Sequence, residues 1–118
     1  MNLFRILELV FATAIFFSHG KLQAECIQSD AKELRTSIAK NKSTKEIIFF
    51  ATWCQACLQK LKTADNSKSI VVAVFESKKN ADQTQKQIVD AKVPCFWDKD
   101  GSIAREFKVK SLPQVNIL

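Results

Sequence analysis

Two short blocks of unbroken apolar residues stand out along the chain, EIIFFA at Glu46 to Ala51 and SIVVAVF at Ser69 to Phe75. Blocks this short, rich in Ile, Val and Phe and bounded by polar loops, predict strands buried on both faces, because a buried helix needs a longer run. Around them the apolar spacing becomes helical. Asp30 and Glu33 are placed as a capping box ahead of Ala31, Leu34 and Ile38, which predicts a first helix over about 30–40. From Cys54 onward the helix formers QACLQKLK bring Cys57, Leu58 and Leu61 to a common side, and Asn80 with Gln83 reads as the cap of a third helix carrying Ala81, Ile88 and Ala91. The predicted order is helix, strand, helix, strand, helix.

Beyond the third helix, VPCFWDKDGSIAREF places a DKDG turn between a short extended piece and a short helical one. DxDG also occurs in calcium loops, but the twelve-residue EF-hand pattern is absent and a plain turn is expected. Lys110 to Leu118, KSLPQVNIL, is a last apolar run. Pro113 cannot donate to a sheet ladder, so it belongs at that strand's first residue or at an edge. There are no internal repeats, and 118 residues suit one domain.

The front of the chain does not fit this pattern. MNLFR is a short basic start, Leu9 to Phe17 is uncharged and apolar, and the polar stretch SHGKLQA follows, the three-part form of a secretory signal peptide. Cleavage is expected after Ala24, giving a signal peptide over 1–24 and a domain over 25–118. The apolar run is short of the ~20 residues needed to cross a bilayer, so membrane association is expected only if this segment stays uncleaved. Removing it takes away Arg5, Lys21 and Glu8, and the formal charge falls from +6 to +5. The lysines are scattered, without arginine stripes or interleaved aromatics, so no nucleic-acid surface is expected.

All four cysteines, Cys26, Cys54, Cys57 and Cys95, lie in the expected mature domain, and an exported chain meets an oxidising compartment. A C-x-x-C on the first turn of a helix can close a small disulfide ring. The helix N-terminus also favours a thiolate, so Cys54 reads as the exposed nucleophile and Cys57 as the resolving thiol one turn deeper. Trp53 is expected to pack beside the pair and limit solvent access. A structural zinc needs four ligands, and the only histidine, His19, falls in the expected signal peptide, so no metal is assigned. Cys26 and Cys95 are candidates for a second, structural disulfide, or for two free thiols; four cysteines permit three connectivities.

FFATWCQAC after a strand, followed by VPCFWDKDGSIAREFKVKSLPQVNIL, resembles the thioredoxin superfamily, and more narrowly its exported TlpA/ResA-like branch of thiol-disulfide oxidoreductases. The resemblance runs from about Glu46 to Leu118. It implies an α/β three-layer fold with a central mixed sheet flanked by helices. It also implies that Pro113 is a cis proline facing the cysteine pair, with Leu112 presenting backbone to an incoming polypeptide. Two departures stand out. The position six before Cys54, where thioredoxin has a buried acid, is Ile48, with Glu46 a poor substitute near the strand's start. The family's strand and helix after the proline-led strand are expected to be missing.

The expected function is that of an exported oxidoreductase exchanging disulfides with cysteines of other exported proteins and with a redox donor or acceptor, without an organic cofactor. The alternative is a non-catalytic thioredoxin-like binding module whose disulfide is structural.

Overall fold

A computed structural model describes residues 25–118 apart from Val89. The expected signal peptide over 1–24 lies outside the described residues. Five strands and four helices alternate: β1 (Ile27–Ser29), α1 (Ala31–Lys40), β2 (Glu46–Phe50), α2 (Gln55–Leu61), β3 (Ser69–Ala73), α3 (Lys78–Gln87), β4 (Cys95–Asp98), α4 (Ser102–Glu106) and β5 (Gln114–Ile117). They form one mixed sheet in the order β1-β4-β3-β2-β5, parallel except for β5, which runs antiparallel to β2. No described helix is long and apolar enough to cross a membrane.

The two apolar blocks form the centre of the sheet, and their alternation divides the core. Ile48 and Phe50 of β2, with Val71 and Ala73 of β3, enter one layer with Cys57 and Leu61 of α2 and Ala81 of α3. Ile47, Phe49, Ile70 and Val72 enter the other layer with Leu34 of α1 and Ile103 and Ala104 of α4. Side chains on a strand point to opposite faces at period two, so a run without polar interruptions demands cover on both sides.

The capping box of α1 forms as the sequence predicts: Glu33 N–H donates to Asp30 Oδ1 at 2.8 Å and Asp30 N–H donates to Glu33 Oε1 at 3.0 Å. The third helix begins earlier than expected. Ser77, not Asn80, is its cap, because the Ser77 hydroxyl accepts the Asn80 N–H at 3.2 Å. Its buried face is Ala81, Thr84 and Gln85, while Ile88 is only the C-cap and Ala91 lies beyond the helix. The second central strand stops at Ala73 rather than Phe75, whose φ of 58° takes the backbone out of the extended region. β1 was not expected at all. It has three residues, IQS, two of them exposed, too few to show a period.

What fixes β1 at the sheet edge is covalent. Cys26 and Cys95 are joined in a disulfide, with Cα atoms 4.5 Å apart, one step ahead of the Ile27–Phe96 register pair. Both residues are almost wholly buried, and the Cys26 N–H donates to Asp82 Oδ1 of α3 at 2.8 Å. The DKDG segment is a turn, as expected, and Asp98 within it has a structural task. Its two carboxylate oxygens accept the N–H groups of Ile103 and Ala104 at 2.9 and 3.0 Å, which caps α4 from a distance. Gly101 at the N-cap itself has a φ of 83° and no side chain to do so.

Two stability measurements follow from these contacts. The disulfide closes a loop of sequence separation 69, so the Cys26→Ala/Cys95→Ala variant should lose about 4 kcal/mol in urea unfolding. Asp98→Ala leaves two buried amides unpaired and should cost about 3 kcal/mol, whereas Asp98→Asn, which keeps one acceptor, should cost clearly less; equal losses would mean the amides find other partners.

Candidate functional site

β2 ends at Phe50, and the chain turns within four residues into α2, with the Cys54 N–H donating to the Ala51 carbonyl at 3.1 Å. That short turn places Cys54 at the N-cap of α2 and Cys57 in its first turn. The two are disulfide-bonded, with Cα atoms 5.2 Å apart. They are not equivalent. Cys54 is 9% exposed and Cys57 is fully buried, and the Cys57 N–H donates to Cys54 Sγ at 3.1 Å. A donor aimed at that sulfur favours negative charge on it once the ring opens.

The other expected site residues arrive by different routes. The Leu112–Pro113 peptide is cis. One step beyond the Phe49–Gln114 register pair, Pro113 lies level with Phe50, at the end of β2 from which the C-x-x-C turn departs. Leu112 packs against the layer that holds both cysteines. Trp53, directly before Cys54, is 66% exposed, and its indole N–H donates to the Phe75 carbonyl at 3.2 Å. Cys26 and Cys95, in the same apolar layer as Cys54 and Cys57, are bonded to each other. Among the described residues no three His, Cys, Asp or Glu side chains converge as a metal site would require.

No acid replaces Ile48, which is fully buried among apolar residues on the cysteine side of the sheet. Glu46 lies at the opposite end of β2 and accepts the Ser69 hydroxyl at 2.6 Å. The acid near the site is one that sequence reasoning missed, Glu76. The Thr52 N–H donates to its Oε1 at 2.6 Å, and its Oε2 is buried without a hydrogen-bond partner. Burial pushes the Glu76 carboxyl above its ordinary value, and the bonds from Thr52 pull the other way without restoring it. The Thr52 hydroxyl reaches the Asn80 carbonyl at 3.1 Å and the Thr84 hydroxyl at 2.8 Å. The turn before Cys54 is thus tied to the end of β3 and to α3. The available signal was an acid directly after an apolar strand, in VFES.

No known family profile matches the chain, and no curated protein is similar to it. Among solved structures it is similar to the N-terminal domain of PilB from Neisseria gonorrhoeae, at 25% identity and a TM-score of 0.46, covering 62% of this chain and 58% of that one. It is also similar to the reduced form of the N-terminal domain of PilB from N. meningitidis, at 20% identity and a TM-score of 0.50, covering 70% of this chain and 68% of that one. The chain thus spans under two thirds of the gonococcal domain. The meningococcal likeness bears on architecture, and it joins the mixed sheet, its flanking helices and the proline-led antiparallel strand.

The fold is thioredoxin-like.

Within a thioredoxin-like fold, Glu76 supplies a titration that can be measured. Its raised pKa means that the folded state binds this proton more tightly than the unfolded chain. Its stabilising contribution is therefore full below the ordinary value of 4.5 and is lost as pH rises through the raised one. The stability of wild type minus that of Glu76→Gln should fall as pH is raised from 4 to 8 in a series of urea melts. A difference that stays flat would show that Glu76 ionises as freely folded as unfolded.

Proposed function

We propose that the protein is an exported thiol-disulfide oxidoreductase that exchanges disulfides with cysteines of other exported proteins through Cys54 and Cys57. The observation that carries this reading is the asymmetry of the pair: a marginally exposed sulfur at the helix N-cap receives an N–H, and its partner is sealed one turn deeper. In the reduced protein the Cys54 thiolate attacks one sulfur of a partner disulfide. That S–S bond breaks, a mixed disulfide forms, and the departing partner thiolate takes up a proton. Cys57, deprotonated, then attacks Cys54 Sγ and expels the second partner sulfur as a thiol. The partner gains two electrons and two protons, and the protein closes the Cys54–Cys57 ring; run backwards, the same steps oxidise a partner dithiol. Another dithiol or disulfide resets the pair, and no organic cofactor takes part.

Trp53, Leu112 and cis Pro113 are assigned to the surface that meets the incoming polypeptide. Two disulfides among the described residues suit the oxidising compartment to which the 1–24 signal segment would direct the chain. The TlpA/ResA-like resemblance favours a reductant.

Thiol trapping with mass readout across a series of glutathione buffers tests the reading. A reversible two-electron couple should map to Cys54 and Cys57, while the buried Cys26–Cys95 bond stays oxidised. Cys54→Ser should abolish exchange, and Cys57→Ser should accumulate the mixed disulfide on Cys54. A Cys54–Cys57 bond that remains closed at every potential would sink the enzyme and leave a binding module with two structural bridges.

A further inference from the structure

Both non-glycine residues with a left-handed backbone among those described, Phe75 at φ 58° and Lys108 at φ 52°, line the same groove. Such a backbone persists only where its surroundings hold it, and such strain clusters at functional surfaces. At Phe75 the restraint is visible. Its carbonyl accepts the Trp53 indole N–H, and the next side chain, Glu76, accepts the Thr52 N–H. A phenyl ring held 52% exposed is the result.

The groove, about 380 Å³, has an apolar floor of Phe75, Ala104 and Val109 and is flanked by Arg105, Lys108 and Lys110. All three cations are exposed, and none forms an ion pair with another described residue. The Arg105 guanidinium reaches only the Asp100 carbonyl, at 3.5 Å. Bonds from Ser102 hold the Asp100 carboxyl below the ordinary range, and the Arg105 charge adds to this. Glu106 turns to Arg35 at 3.0 Å. The groove therefore keeps a positive excess.

Its position follows from the topology. Phe75 follows the C-terminal end of β3, α4 follows that of β4, and Lys110 precedes antiparallel β5, so all lie at the end of the sheet from which β2 delivers Cys54. Ligands of open α/β sheets bind outside that end. We propose that this groove docks an extended segment of the client polypeptide that carries acidic residues beside its reacting cysteine, with an apolar side chain against Phe75. The inference rests on the exchange reading above and assigns that site's substrate class.

Second-order rates of the reduced protein with cysteine peptides activated as 2-thiopyridyl disulfides test it. In that reaction Cys54 displaces pyridine-2-thione, Cys57 releases the peptide thiol, and the absorbance of the thione reports the rate. A peptide with Glu on either side of its cysteine should react on the order of tenfold faster than its Lys counterpart at low salt, and the gap should close as salt is added. Arg105→Glu/Lys110→Glu should reverse the preference. Lys40→Glu/Lys42→Glu changes the net charge equally at the other end of the sheet and should preserve it. Rates with neutral 2,2′-dithiodipyridine should be the same in all three proteins. Equal peptide rates, or an equal shift in the remote variant, would overturn the docking proposal while exchange stands. A Cys54–Cys57 pair that cannot be reduced, or that fails even with dithiodipyridine, would bring down both readings.

Discussion

Beyond Glu46, β2 is wholly buried. Ile48 and Phe50 fill one layer, Ile47 and Phe49 fill the other, and its two backbone edges are taken by β3 and β5. A strand fixed on four sides fixes where its last residue lies, and the chain leaves Phe50 with only a four-residue turn before α2. Core burial, at roughly 1.5 to 3 kcal/mol for each large apolar side chain, thereby fixes the point from which the turn to Cys54 departs. β5 matters for the same reason. Its pairing with β2 brings the cis Pro113 level with the end of β2, so one strand places both halves of the site.

The turn that carries the cysteines is held by polar contacts of a different kind. The Thr52 amide is committed to Glu76, the Thr52 hydroxyl to α3, and the Trp53 indole to the Phe75 carbonyl. Glu76 gains a strong acceptor role but loses hydration, and its second oxygen has no partner, so burial opposes its ionisation. Such an arrangement sacrifices stability at neutral pH for a defined loop geometry. The left-handed Phe75 belongs to the same compromise, because the bonds from residues 52 and 53 converge on residues 75 and 76 and fix the backbone between β3 and α3.

The elements that were legible in the sequence are those whose signal is local. EIIFFA and SIVVAVF announce doubly buried strands, Asp30 and Glu33 announce a helix start, and the Cys54–Cys57 spacing announces a small ring at a helix N-terminus. The elements that escaped depend on partners far along the chain. β1 exists because β4 and the Cys26–Cys95 bond hold it, and neither lies within its three residues. α3 buries Thr84 and Gln85 because Thr52 and Val93 supply hydrogen bonds, so an apolar period was the wrong guide to its inner face. The role of Glu76 depends on the Thr52 amide, 24 positions earlier, which no local pattern announces.

The two disulfides share one apolar layer but differ in exposure and in what they hold together. Exchange requires a thiolate to reach a sulfur in line, and the rate depends on access and on how well the departing thiolate is stabilised. Cys26 and Cys95 are 1% and 2% exposed, between an edge strand and α3, and opening their bond would remove the covalent tie at the start of the β1–β4 ladder. Cys54, 9% exposed at the N-cap, has a sulfur that already faces a backbone N–H, and its bond spans only the first turn of α2. One bond closes a loop of sequence separation 69 and the other a loop of 3, so the long bridge constrains the unfolded chain far more. Under the proposed exchange, the same kind of bond serves as a staple at one edge of the sheet and as a reversible couple beyond the end of β2.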